Sequence, residues 1–169
     1  LSRGLGDVYK RQKAAGHLYS QSRSKTLEYL VKTPLSYEPG TKQIYSDIDY
    51  MLLGLIIEKV TNERLDTFVE NQFYRPLGLR HTLFNPLQKG FKPPHFAATE
   101  RMGNTRDGTI SFPNIRTYTL QGEVHDEKAF YSMEGVSGHA GLFSTVDDAA
   151  VLLQVCLLYT SDAADDSLR

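Results

Sequence analysis

At 169 residues, 40% hydrophobic and 23% charged, the chain has the composition of one globular domain or a piece of one, with no signature of disorder. A net charge of −1 with no basic stripe argues against nucleic acid as a partner, and no apolar run is long enough to span a bilayer. The single cysteine, Cys156, leaves no pair for a disulfide and no thiol in the body of the chain for catalysis.

The two ends read as foreign to the fold. Leu5 to Gln12 is what CTC GGA GAT GTG TAT AAG AGA CAG encodes, the mosaic end and flank of a sequencing-library adapter. Cys156 to Asp165 reads back as TGT CTC TTA TAC ACA TCT GAC GCT GCC GAC, the reverse complement of the partner adapter. Residues 1–12 and 156–169 are therefore expected to be adapter-derived tails, excluded from fold reasoning as a tag would be. The expected natural part is 13–155, a partial domain.

Within it, Thr26 to Lys32 carries Leu27, Leu30 and Val31 at helical spacing and stops at Thr33-Pro34, because the residue before a proline disfavours the α region. The next segment predicts the strongest helix: Ile48, Met51, Leu52, Leu55, Ile56 and Val60 fall on one stripe, with Ser46 or Asp47 as N-cap. Thr61-Asn62 ends it. Leu65, Phe68, Val69 and Gln72 begin a second amphipathic helix, which Pro76-Leu77-Gly78 terminates. From Asn85 to Tyr118, prolines and glycines punctuate a long irregular stretch with a turn at Asn104–Gly108; we expect a surface excursion bordering an active-site cleft. Finally Ser144 with Asp147, or Thr145 with Asp148, has the spacing of a helix start before Val146–Leu153.

The chemistry-bearing stretch is Tyr45-Ser46-Asp47. A Pro39-Gly40 turn leads into it and a helix follows at once, placing a phenol and a carboxylate where rigid structure meets a loop. This arrangement, with Ile48-Asp49-Tyr50-Met51-Leu52-Leu53-Gly54 behind it, resembles the second active-site motif (Tyr-x-Asn) of the serine beta-lactamase and penicillin-binding-protein superfamily. Within that superfamily the chain is most similar to the class-C-like, beta-lactamase-related proteins and esterases, and to D-alanyl-D-alanine carboxypeptidases of the penicillin-binding protein 4B type. Gly138-His139-Ala140-Gly141-Leu142-Phe143-Ser144-Thr145 resembles a glycine-rich segment before a helix in the same superfamily. Val124 to Ala129 also looks like a stretch seen in relatives, and no mechanistic role attaches to it.

The resemblance, which runs from about Leu27 to Val155, implies an α+β fold, an antiparallel sheet flanked by helices plus a helical subdomain, of which this chain is a fragment. It implies a serine acyl-transfer hydrolase, with no cofactor or metal, acting on a peptidoglycan peptide or a small ester or amide. Tyr45 and Asp47 are the catalytic candidates. A free phenol, with a pKa near ~10, is a poor base at neutral pH, but a Tyr between two ammonium groups can relay a proton. Asp47 stands where the family more often has Asn. An amide can donate to a substrate carbonyl, whereas an ionised carboxylate only accepts, which bears on beta-lactam recognition more than on acyl transfer. The bland alternatives are a packing tyrosine and a plain N-cap.

Ser22-Arg23-Ser24-Lys25 has the Ser-x-x-Lys spacing of the family's nucleophile, but it is highly charged and lies too close to Tyr45. We read Ser22 or Ser24 as a cap and expect the true Ser-x-x-Lys upstream of this chain and the third motif downstream. His81, His95, His125 and His139 match no compact metal-ligand spacing, and His139 reads as a turn residue. The reading is therefore a DD-carboxypeptidase or endopeptidase, with an esterase or an inactive peptidoglycan-binding descendant as alternatives. The parent is expected outside the cytoplasm, with any membrane anchor in segments this chain lacks.

Overall fold

The first helix, α1, spans Arg23–Lys32 in the computed structural model, which describes residues 22–166 and their side chains as far as 158. Helix α2, Asp47–Thr61, follows an irregular linker and ends at Asn62, whose left-handed backbone (φ 55°) breaks the helical path. Helix α3, Leu65–Val69, runs directly into a π-helical turn at Glu70–Tyr74. Two-residue strand β1, Leu83–Phe84, precedes 3-10 turns at Pro86–Lys89 and Pro93–His95. Strands β2 (Ala98–Glu100) and β3 (Leu120–Gln121), helix α4 (Glu127–Met133), strand β4 (Leu142–Phe143) and helix α5 (Val146–Asp166) complete the order.

The class is α+β, as expected, with helices around two small antiparallel sheets. Strand β1 pairs with β4, Leu83 opposite Phe143, and β2 pairs with β3, Ala98 opposite Gln121. Two apolar clusters fix the helices. Leu30 of α1, Ile48 and Met51 of α2 and Met133 of α4 form one, with Leu27, Leu52 and Leu55 against it. Leu65, Phe84 and Val136 form the other, flanked by Ile57 and Val69. Burying one such side chain is worth about 1.5–3 kcal/mol, so these few contacts decide how α2 lies against α4. The expected α2 stripe is thus half right. Ile48 and Met51 are buried, whereas Ile56 and Val60, at the far end, are exposed among the described residues.

Two further expectations change. The 85–118 stretch is irregular, but it contains β2 and is anchored from within. Asn104, Thr105 and Arg116 are buried, and Arg116 Nε donates to Asn104 Oδ1 at 2.8 Å while its guanidinium lies 3.6 Å from the Phe130 ring centroid. It is a clasped loop rather than a pure surface excursion. At the start of α5 the Thr145 alternative holds, with Asp148 N–H donating to Thr145 Oγ1 at 3.3 Å. The Asp148 carboxylate turns away, however, and accepts from His81 N and Thr82 Oγ1. The expected tail at 1–12 lies outside the described residues. At the other end α5 continues through Cys156, with Leu157 and Leu158 exposed.

Helix α2 and the loop before β4 approach closely. A Cβ on Gly138 would lie 2.1 Å from the carbonyl oxygen of Tyr50, and a Cβ on Gly54 would lie 3.2 Å from the Gly138 nitrogen. Only glycine lets that loop lie on the helix. Gly138→Ala must push the two apart, and overpacking of this kind costs about 1–3 kcal/mol. In the full-length protein the substitution should lower the unfolding midpoint accordingly; an unchanged thermal transition would contradict the packing described.

Candidate active site

Tyr45 and Asp47 stand together at the N-terminus of α2. Ser46 occupies the N-cap position with extended backbone, but its hydroxyl makes no capping bond and is buried without a partner among the described residues. Asp47 is the first helical residue. The plain-cap alternative therefore fails for both side chains. The Asp47 carboxylate still gains from the helix dipole at that end. Its partner is Lys128 of α4, whose Nζ lies 2.8 Å from Asp47 Oδ2, with both side chains largely buried. Tyr45 is 59% exposed and its ring lies 5.5 Å from that of Tyr50. Desolvation first, then the neighbouring Asp47 carboxylate and, behind it, Tyr50 and Asp126, hold its phenol above the ordinary value.

Lys128 also stands 3.9 Å from Asp126 Oδ2. Asp126 is the true cap of α4: its Oδ1 accepts from the Ala129 N–H at 2.8 Å. The same oxygen lies 2.9 Å from His139 Nε2, and His139 Nδ1 lies 2.8 Å from Ser137 Oγ. With an acceptor on Nε2, the neutral ring carries its hydrogen there, and the Ser137 hydroxyl donates to Nδ1. The connectivity is that of a serine–histidine–aspartate chain, but Ser137 is buried, which suits orienting the imidazole rather than attacking a substrate. His139 does lie in a bend, yet its side chain is only 2% exposed and ties the loop before β4 to the cap of α4.

Spacing in the sequence hid a cluster here. Asp47, Asp126 and His139 offer ligand atoms all within 4.8 Å of one another. The ammonium of Lys128 lies within that cluster's reach, 2.8 Å from one carboxylate and 3.9 Å from the other, so it already supplies the positive charge a metal would bring. Beside the cluster lies an open cleft of about 630 Å3. His95, Phe96 and Thr99 of the clasped stretch form one wall, and Glu123 to Glu127 and Ala140 to Ser144 the other. Ser22 and Lys25 play no part in it. Both are exposed, and Ser22 sits at the N-cap position of α1 without a side-chain capping bond.

Sequence reasoning missed Asp126 and Lys128. Asp126 carried a weak signal, an acidic residue three positions before a buried alanine at a helix start. Lys128 carried none, because its bond to Asp47 spans 81 positions.

Asp126 yields a pH test. Burial opposes its ionisation, but the His139 hydrogen bond, the Lys128 charge and the Ala129 N–H bring its pKa down from 3.8 to about 2. A carboxyl lowered on folding contributes stability that is fully present above the unfolded value and disappears as pH falls through the folded one. Between about pH 4 and pH 2 the full-length protein should lose about 2 kcal/mol from this group. Urea unfolding across that window should show the loss, and Asp126→Asn should flatten it. An equally steep acid limb in the variant would mean that other carboxyls carry the effect.

The chain matches the Beta-lactamase family model over residues 4–168. It is 72% identical over 143 residues to a Bacillus subtilis protein named "N-acetylmuramyl-L-alanine amidase", covering 85% of this chain and 32% of that protein. It is 66% identical over 149 residues to a Salmonella paratyphi B protein named "Putative D-alanyl-D-alanine carboxypeptidase", covering 88% of this chain and 34% of the relative. It thus spans about a third of the length of these curated relatives. Among solved structures, the D-amino acid amidase of Ochrobactrum anthropi superposes with a TM-score of 0.50 at 18% identity, over 78% of this chain and 35% of that one, a likeness of fold. With a family match across nearly its whole length, the chain belongs to the beta-lactamase family.

Proposed function

We propose that the protein to which this chain belongs is a serine acyl-transfer hydrolase that cleaves amide bonds in cell-wall peptides, with Tyr45 as its acid–base relay and Asp47 as the partner that holds the phenol. The observation that carries this reading is the placement of Tyr45. It is an exposed phenol beside Asp47, at the mouth of a helix whose other face is locked into the core. The names of the relatives, an amidase and a carboxypeptidase, support an amide substrate on a muramyl or D-alanyl peptide. The nucleophilic serine, its lysine and the third motif are assigned to parts of the protein outside this chain, and the natural domain segment to residues 13–155. Such a substrate places the enzyme outside the cytoplasm; among the described residues no helix is long and apolar enough to cross a membrane.

Asp47 favours a second reading, an esterase of the same fold, since a carboxylate at that position offers no donor to a beta-lactam or peptide carbonyl. Labelling of the full-length protein by a fluorescent penicillin supports the peptidase. Hydrolysis of short-chain p-nitrophenyl esters without labelling supports the esterase. Absence of both would leave only an inactive binding protein.

Tyr45→Phe tests the relay. It removes one positioned acid–base group and almost no volume, so acylation should fall by about 10²–10⁴-fold. Stability should change by no more than about 1–1.5 kcal/mol, the value of one hydrogen bond. Near-normal acylation in this variant would return Tyr45 to the rank of a surface aromatic.

A further inference from the structure

We propose that Lys128 is the charge-balancing residue of the Tyr45 site: its ammonium, delivered by α4, compensates the Asp47 carboxylate so that the phenol can surrender its proton. This deepens the reading of Tyr45 as a relay and rests on it. Observations on α2 and α4 converge on the assignment. The Asp47 carboxylate, two residues along the chain from Tyr45, stabilises the protonated phenol. Asp126 adds a second negative charge nearby, and Tyr50 lies against the ring. Without a compensating cation, the two carboxylates would leave the phenolate of Tyr45 less populated still. Lys128 Nζ sits 2.8 Å from Asp47 and 3.9 Å from Asp126, with its side chain largely buried, so its charge is screened little by solvent.

The placement of that ammonium is itself over-determined. Asp126 caps α4 through Ala129 N–H, His139 holds the same carboxylate, and Met133 at the end of α4 is buried against Met51 of α2. Helix α4 is thereby fixed in position and rotation over the N-terminus of α2. The charged groups facing one another across this junction are Asp47 on α2, Lys128 on α4 and Asp126 at its cap, with His139 on the loop behind. Lys128 therefore acts through Asp47, as a positioning residue rather than a catalytic one.

The test is a charge cycle in the full-length enzyme, read by acylation with a fluorescent penicillin or an activated ester. Lys128→Gln should reduce acylation about tenfold or more and move the ascending limb of the pH–rate profile, set by deprotonation of Tyr45, upward by about one unit, since the uncompensated carboxylate holds the proton on Tyr45. Lys128→Arg, which keeps the charge, should retain most of the rate and the parental profile. The double variant Asp47→Asn/Lys128→Gln removes both charges and should recover rate and profile relative to Lys128→Gln alone. A merely structural lysine would alter stability without moving the pH profile. If the double variant is no better than Lys128→Gln, or the profile stays in place, the proposal is wrong even where Tyr45→Phe abolishes acylation. If Tyr45→Phe acylates normally, the relay itself fails, and that outcome is separable from the first.

Discussion

One carboxylate organises this junction. Asp126 receives the Ala129 N–H in the first turn of α4, the Nε2 hydrogen of His139 and the charge of Lys128. Two of these partners belong to α4 and the third to the loop before β4, so a single side chain fixes the start of a helix, that loop and the direction of a lysine. A partly buried carboxylate with this many donors stays ionised far below the ordinary range, as its pKa of about 2 shows. Remove it, and α4 loses its cap while Lys128 loses one of the two acids that aim it.

From that anchor the rest of the site follows by packing. Met133 and Met51 lock α4 to α2, and the contact of Gly54 with Gly138 lets the His139 loop lie directly on the α2 backbone. The N-terminus of α2 is consequently held on two sides. Tyr45, just before it, remains open. A rigid helix end with an exposed phenol, flanked by charges that are themselves pinned, is a preorganised electrostatic site rather than a flexible one. The clasped stretch from Asn85 to Tyr118 joins the same construction, because Arg116 Nη2 and Asn104 Nδ2 both donate to the carbonyl of His125, the residue before Asp126.

How much of this could be read from the sequence depended on range. The Tyr45-Ser46-Asp47 motif, the α2 helix and the glycine-rich approach to α5 are local patterns, and local patterns were legible. The far half of the α2 stripe was misread because periodicity says which residues share a face, and not what covers it. His139 was read as a turn residue for a similar reason. Its backbone does turn, but the partner that makes its side chain matter lies on another element. Asp47 was read as either a cap or a catalytic group, and neither alternative included a salt bridge. Lys128 lies in a stretch that resembled relatives and still gave no role, because a pairing over 81 positions leaves no trace in spacing.

The Asp47–Lys128 bridge also changes how the departure from the commoner Tyr-x-Asn pattern should be understood. Considered alone, a carboxylate for an amide replaces a neutral group that can donate with an anion that only accepts. Considered with its partner, the substitution is a neutral pair for a neutral amide: the carboxylate accepts from Lys128, and the ammonium restores both the charge and a source of donated hydrogens. Breaking a largely buried pair from one side is much more disruptive than removing both charges, because the surviving ion is left uncompensated. Asp47 and Lys128 are therefore one chemical unit contributed by two helices. The residue type at the third position of the motif cannot be interpreted without the residue that faces it across the junction of α2 and α4.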